Sequence, residues 1–411
     1  MGFFDAMGAL FALTALFAYL NYQYVRLPTP IGVMLAGLLL SLGLLLVGGP
    51  AEAWAQELVA SVPFEEVLMQ GMLAFLLFAG ALHVNLEDLR RRWVSILTLA
   101  TLGVLVSTFV VGTGVYYLAA WLGLELPYVH ALLFGALISP TDPIAVLGLL
   151  KRAGVPKDLE VLISGESLFN DGVGVVVFAV ILSLVQTGGH GAEASAAAVA
   201  AFFAQEALGG LALGLGLGLV AFYMLRRTDD YSVEVLITLA LVSGGYALAA
   251  NLHTSGPLAM VVAGLLIGNH GRALAMSERT REHLDTFWEM TDEILNALLF
   301  VLIGLEVLLV RYTPGYLELA ALSVPLVLAA RFLSVGLPIG ALRLVRPFAG
   351  YTVRLMTWGG LRGGISVALA LGLPPGPERE LILAMTYGVV VFSVLVQGLT
   401  IGRLARFAAG R

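Results

Sequence analysis

The sequence stretch at residues 128–150 reads YVHALLFGALISPTDPIAVLGLL. It is long enough for a membrane-spanning helix, which takes about 20 consecutive apolar residues. Its centre holds SPTDP (139–143), and two prolines within four residues break a helix because they remove backbone donors. Asp142 followed by Pro143 is typical of an N-cap and the first helical position. We therefore expect an interrupted helix, in which Asp142 caps the second half and also acts electrostatically on its surroundings.

The whole chain has the composition of an integral membrane protein. Of its 411 residues, 59% are hydrophobic and 12% are charged, whereas a soluble domain has about 25% charged residues. Too few polar side chains are present to cover a water-facing surface, which excludes a soluble enzyme, a nucleic-acid binder and a disordered scaffold. The chain has no cysteine, which excludes disulfides, thiol catalysis and thiolate metal sites.

Apolar runs recur along the chain and predict an all-α protein with thirteen transmembrane helices and no soluble domain. The first span has Arg26 at its far end and no basic residue before it, which is the reverse of a signal peptide. The polar stretch 270–293 predicts an amphipathic interfacial helix, with the wall of a cytoplasmic funnel as the alternative. The spans are roughly 5–25, 30–48, 65–83, 93–120, 128–150, 159–186, 196–225, 232–250, 255–270, 284–310, 316–342, 354–373 and 380–402.

The distribution of Lys and Arg tests this count and predicts the orientation. Eighteen of the 22 Lys and Arg fall in the loops on one side of the thirteen spans. The other side has only Arg311 and Arg379, and Arg331 and Arg362 lie within spans. Basic residues collect in cytoplasmic loops. We therefore predict a multi-pass protein of the cell inner (cytoplasmic) membrane, with its N-terminus outside and its C-terminus inside.

Three spans carry ionisable residues near the middle of the ~30 Å hydrocarbon core, namely Asp142 in span five, Asp171 in span six and Arg362 in span twelve. Each costs at least ~2.5–3.5 kcal/mol on insertion scales, so each indicates a function. Span twelve is also interrupted, because GGLRGG (359–364) places glycines on both sides of Arg362. Spans five and twelve are seven spans apart in chain order, which is an odd number, so they run in opposite directions. Interrupted helices in two oppositely oriented halves are typical of inverted-repeat secondary transporters.

Span six supplies the residues for ion binding. Ser167 and Asp171 are four residues apart and lie on one face, with Glu166 and Asn170 on a parallel stripe. Hard cations such as Na+ prefer oxygen ligands, and burial disfavours a bare carboxylate charge. One buried acid can thus hold a proton or a cation, which is the basis of antiport. The alternatives are a structural carboxylate at Asp171, locked by hydrogen bonds, and a buried ion pair of Glu166 with Arg362.

Three motifs carry a resemblance to a known family. They are ISPTDP (138–143), SGESLFNDG (164–172) and GLRGG (360–364). Together they resemble the monovalent cation/proton antiporters of the NhaP/NHE type, and the resemblance covers essentially the whole chain. It implies a NhaA-like fold of six-helix inverted repeats, with core and dimerisation domains and a homodimer. The repeats are about 1–186 and 232–402, joined by a linking helix at about 196–225.

The resemblance also implies an ion site. Asp171 is then the cation- and proton-binding acid, and Ser167 and the backbone carbonyl of Thr141 are further cation ligands. The broken helices five and twelve cross near this site. No cofactor is implied, because Na+ or Li+ is the transported substrate.

Four further residues support the site by the same resemblance. Asp142 shapes it, and Glu166 pairs with Arg362. Asn170 before Asp171 is the Asn-Asp version of the motif, which suggests electroneutral exchange, whereas Asp-Asp suggests electrogenic exchange. One position departs from the family, because many relatives carry a Glu in span three where this chain has Ala79. The complete ligand set and the preference for Na+ over K+ are therefore open.

We expect an electroneutral Na+(Li+)/H+ antiporter that works by alternating access and contributes to pH regulation, and not an enzyme. A K+/H+ antiporter on the same scaffold is the nearest alternative. A cation channel would need a selectivity element such as a Thr-Val-Gly-Tyr-Gly loop, and the sequence has none. An intramembrane protease would need a motif such as His-Glu-x-x-His or Gly-x-Ser-x-Gly, and neither occurs.

Overall fold

The computed structural model describes residues 2–186, 196–309 and 314–408, and the regular structure in these ranges is helical. The α-helices are α1 (Phe3–Leu20), α2 (Thr29–Val47), α3 (Pro50–Ala60), α4 (Phe64–Glu66), α5 (Leu73–Leu82), α6 (Leu86–Trp121), α7 (Tyr128–Leu137), α8 (Ile144–Ala153), α9 (Lys157–Gln186), α10 (Ala196–Leu225), α11 (Tyr231–Asn251), α12 (Gly256–Leu266), α13 (Arg272–Leu274), α14 (Glu278–Glu306), α15 (Tyr316–Leu342), α16 (Thr352–Gly359), α17 (Gly364–Leu371), α18 (Pro377–Phe392) and α19 (Gly398–Ala408). Wider π-helical turns at Asn21–Val25, Val67–Met72, Ile267–Gly271 and Ser393–Gln397 continue four of these helices.

Nine helical stretches in the described ranges are long and apolar enough to cross a membrane. Predicted spans five, nine, ten and twelve are not among the nine. Spans five and twelve are interrupted, and span nine contains the short α12 followed by a π-helical turn. Span ten lies in α14, whose first half is strongly charged. The total of thirteen crossings therefore remains a prediction.

The helices pack as two groups. The first bundle contains α6–α9 and α15–α19, with α6 against α7, α9 and α15, and α15 against α18. The second bundle contains α1, α2, α5, α10–α12 and α14, with α14 against α2 and α5, and α12 against α5 and α10. Close backbone approach holds α14 to α2: the Ser41 hydroxyl donates to the Gly304 carbonyl at 2.9 Å.

Two interrupted helices cross inside the first bundle. The chain leaves helical geometry between α7 and α8 at residues 138–143, and between α16 and α17 at residues 360–363. Both breaks lie where the sequence predicts them, at the two prolines and at the glycines around Arg362. The Asp142 N–H donates to the Leu361 carbonyl at 2.8 Å, so the two breaks are joined through the backbone.

Candidate functional site

Arg362 stabilises the break between α7 and α8. Its side chain is buried, and its Nη1 donates to the Ser139 carbonyl and, at 2.9 Å, to the Pro140 carbonyl. These carbonyls follow the C-terminal end of α7, where unpaired carbonyls give a helix partial negative charge. The Arg362 backbone N–H donates to the Ser393 hydroxyl at 2.9 Å, which holds the break between α16 and α17 in place. The positively charged Arg362 guanidinium is thus held where the break between α7 and α8 exposes carbonyl oxygens.

Thr141 is held in the break by α9. The Thr141 N–H donates to Asn170 Oδ1 at 3.3 Å, and Asn170 Nδ2 donates to Thr141 Oγ1 at 2.8 Å. The Ser167 hydroxyl donates to the Thr141 carbonyl. Asn170 therefore orients this segment, and it does so as a neutral amide.

Glu166 forms a buried ion pair with Arg331, and the predicted pair of Glu166 with Arg362 is wrong. Arg331 of α15 donates through Nη1 to Oε1 at 2.6 Å and through Nη2 to Oε2 at 2.7 Å. Asn170 Nδ2 donates to the same Oε1 at 3.0 Å. Arg331 fits because Gly360 has no side chain: a Cβ there would lie 2.6 Å from Arg331 Nε. The planar guanidinium fork suits a carboxylate, while Arg362 is occupied by backbone carbonyls.

Asp171 lies on a cavity of about 540 Å³ between the two bundles. Ser167, Thr141 and Asp142 line the same cavity, whereas Asn170, Glu166 and Arg362 lie behind its wall. Within the described ranges, the Asp171 carboxylate accepts no hydrogen bond and forms no ion pair. This argues against the alternative of a structural carboxylate locked by hydrogen bonds. An acid next to a hydroxyl in a cavity large enough for several waters can take up a proton or a small cation.

The opposite wall of the cavity is acidic and belongs to α14. Glu289, Asp292, Glu293 and Asn296 line it, all on the turns that follow Trp288. The helix is continuous from Glu278 to Glu306, and its part from Glu289 onward lines the cavity, as the alternative of a funnel wall predicts. An interfacial position for the residues before Glu289 stays a prediction. The funnel-wall alternative included Glu289, Asp292 and Glu293, but it missed Asn296, which lies beyond the polar stretch. Their four-residue spacing, 289 to 293 and 292 to 296, was the available signal.

Ala79 also lines the cavity, from α5, and is buried. Its methyl group brings no oxygen to the cavity. The neighbouring His83 is engaged with the backbone of its own helix, with Nδ1 2.8 Å from the Ala79 carbonyl. Any oxygen ligand on this side of the cavity must therefore come from another helix or from water.

A family model described as the transmembrane sodium/hydrogen exchanger matches residues 12–407. The chain belongs to the sodium/hydrogen exchanger family. Among exchanger relatives, the Na+/H+ antiporter NhaP of Pseudomonas aeruginosa is 54% identical, covering 98% of this chain and 96% of its own. The Na+/H+ antiporter NhaH of Halobacillus dabanensis is 35% identical and covers 93% of each chain.

A solved structure has the same fold. The sodium proton antiporter MjNhaP1 of Methanocaldococcus jannaschii superposes with a TM-score of 0.78 over 100% of both chains, at 23% identity. The chain is thus a multi-pass, all-helical membrane protein of the exchanger family, as the three sequence motifs indicate.

Proposed function

We propose that this protein is an electroneutral Na+(Li+)/H+ antiporter in which cation and proton compete for Asp171. One observation carries the proposal: a carboxylate without a protein partner in the described ranges lies on a cavity between the bundles, beside the oxygens of Ser167 and Thr141. The relatives named above as Na+/H+ antiporters support the choice of ions.

The exchange cycle uses each of these groups. The Asp171 carboxylate binds Na+ together with the Ser167 hydroxyl and the Thr141 carbonyl, which are already held next to each other. After the bundles move, the site faces the other side of the membrane, and a proton on Asp171 displaces the cation. Only one of the two is held at a time, because burial disfavours both a bare carboxylate and a cation without a counter-charge. The protonated site then returns.

One proton per Na+ follows from the charges around the site. Glu166 is neutralised by Arg331, and Asn170 carries no charge. Asp171 is therefore the group that exchanges a proton, which makes the cycle electroneutral. Asp142 acts on the site electrostatically from the same cavity.

The packing supports inverted repeats of about 1–186 and 232–402. If spans one to six correspond to spans eight to thirteen, the contact of α6 with α9 corresponds to that of α15 with α18. The contact of α5 with α12 corresponds to that of α14 with α2. Such repeats allow the first bundle, which contains Asp171, to expose the ion site to either side of the membrane in turn. We also propose the N-out, C-in orientation in the inner membrane, a homodimer and a role in pH regulation.

Dissipation of a proton gradient by added cations tests the function. Everted vesicles from an antiporter-deficient strain should respond to Na+ and Li+, and Asp171→Asn should abolish the response. Asp158→Asn is the matched control on the same helix, because Asp158 is exposed and pairs only at the surface with Arg92. Full activity in Asp171→Asn would refute the site.

The same vesicles separate the alternatives. A response to K+ alone would replace Na+ by K+ and make the Ala79 position the first to examine. A cation current without a pH change would indicate a channel. Electroneutral exchange should be insensitive to a potential imposed with K+ and valinomycin, and a rate that follows that potential would contradict electroneutrality.

A further inference from the structure

Asn296 of α14 has a side-chain oxygen without a hydrogen-bond partner in the described part of the chain. Its side chain is 2% exposed. Nδ2 donates to the Asp292 carbonyl at 2.8 Å, which fixes the orientation of the amide and leaves Oδ1 without a donor among the described residues. A buried polar atom without a partner is costly and indicates an unseen ligand such as a water or an ion. Asn296 lines the cavity that contains Asp171.

Asp292 lies one helical turn before Asn296 on the same face of α14. It lines the Asp171 cavity and also a second cavity of about 240 Å³ beside Arg152. Its carboxylate is close enough to Asp142, on the other bundle, for the two charges to repel each other. A cation between the bundles would relieve this repulsion, since Coulomb interactions are strong away from bulk water.

From these two residues we infer a second cation site on α14, formed by the Asp292 carboxylate and Asn296 Oδ1, which binds the transported monovalent cation before it reaches Asp171. The inference rests on the proposed function and adds a step to it. The site supplies oxygen ligands from the second bundle, to which Ala79 of α5 also belongs without supplying one. The α14 site belongs to the second bundle, whereas Asp171 belongs to the first. The cation must therefore leave the α14 site when it binds at Asp171.

The ligand chemistry fits a monovalent ion. One carboxylate and one amide oxygen are hard donors, which suit Na+ or Li+. A dedicated Ca2+ site takes six to eight oxygens with several carboxylates. In the described ranges no group of three or more His, Cys, Asp or Glu is arranged to hold a metal ion.

Transport kinetics give the first test. Asp292→Asn and Asn296→Leu should each raise the KM for Na+ roughly tenfold, the effect of one lost ligand, and leave the maximal rate within about twofold. Asn296→Asp adds a carboxylate in place of the amide and should keep or lower the KM. Glu282→Gln removes an exposed carboxylate from the same helix, away from the cavity, and is the control. A wild-type KM in both Asp292→Asn and Asn296→Leu would overturn the second site.

Binding without transport gives the second test. Purified Asp171→Asn protein should still be stabilised against thermal unfolding by Na+, compared with N-methylglucamine at equal ionic strength. Asp171→Asn/Asp292→Asn should lose that stabilisation. No effect of Na+ on Asp171→Asn would overturn the second site even if the wild type exchanges Na+ for protons. If wild-type vesicles show no Na+ response but this Na+ effect is present, the proposed function fails and the cation site stands.

Discussion

Replacing Arg331 by Met removes the guanidinium that neutralises Glu166 inside the first bundle. The pair is bidentate, at 2.6 and 2.7 Å, and the two side chains are 6% and 2% exposed. Glu166 would keep one hydrogen bond, from Asn170 at 3.0 Å, and would have lost its counter-charge. Arg331→Met should therefore destabilise the protein strongly although the new side chain is apolar.

The size of the effect follows from burial. Removing one partner of a buried ion pair costs about 3–5 kcal/mol, because the remaining charge stays desolvated and unpaired. The surviving Asn170 bond places the expected loss near the lower value, about 3 kcal/mol. That is roughly two powers of ten in the folding equilibrium constant. Replacing both partners, as in Glu166→Gln/Arg331→Met, removes the unpaired charge and should recover about 2 kcal/mol of the loss.

Equilibrium unfolding in mixed micelles with an increasing fraction of SDS measures these free energies. The four proteins of the cycle are the wild type, Glu166→Gln, Arg331→Met and the double variant. Arg362→Met provides the contrast, because Arg362 donates to backbone carbonyls. Adding Glu166→Gln should therefore recover less of the stability that Arg362→Met loses. If the Glu166 and Arg331 changes were additive within about 0.5 kcal/mol, the reasoning about this pair would be refuted.

Two other substitutions probe contacts across the site and across the bundles. Gly363→Ala would place a Cβ 2.8 Å from Asp142 Oδ2, so the rate of Na+/H+ exchange should fall at least about tenfold at equal expression. Gly402→Ala is the control: its Cβ would have no atom within 4 Å, and the rate should be unchanged. Tyr387→Phe removes a hydroxyl that donates to Glu306 at 3.4 Å and leaves a buried carboxylate without that donor. It should lower the free energy of unfolding by about 1–3 kcal/mol in the same SDS titration, and an unchanged value would mean that this contact is energetically negligible.

Local chemistry made the crossing of the broken helices predictable. The prolines at 140 and 143 cannot donate, so a break at that place follows from the residues themselves. The face shared by Ser167 and Asp171 follows equally from helix geometry. These two parts of the candidate site, the break between α7 and α8 and the Ser167–Asp171 face of α9, could therefore be predicted from the sequence.

The partner of Glu166 was not predictable in the same way. Lipid and protein interior are equally apolar, so the pattern along α15 does not tell which of its faces is buried. Arg331 could therefore have pointed to lipid headgroups, to a cavity or to Glu166, and tertiary packing decides. The polar face of α14 has the same ambiguity, since an aqueous cavity and a membrane surface both favour charged side chains. The short helix α3 was missed because it lies between spans and is too short to cross.

The hydrogen bond from the Asp142 N–H to the Leu361 carbonyl has an evolutionary consequence. It uses main-chain atoms on both sides, so it does not depend on which side chains stand at these positions. At position 142, only proline would remove the donor. Side chains around the crossing can therefore change in the course of evolution while the backbone contact that joins the two broken helices is kept.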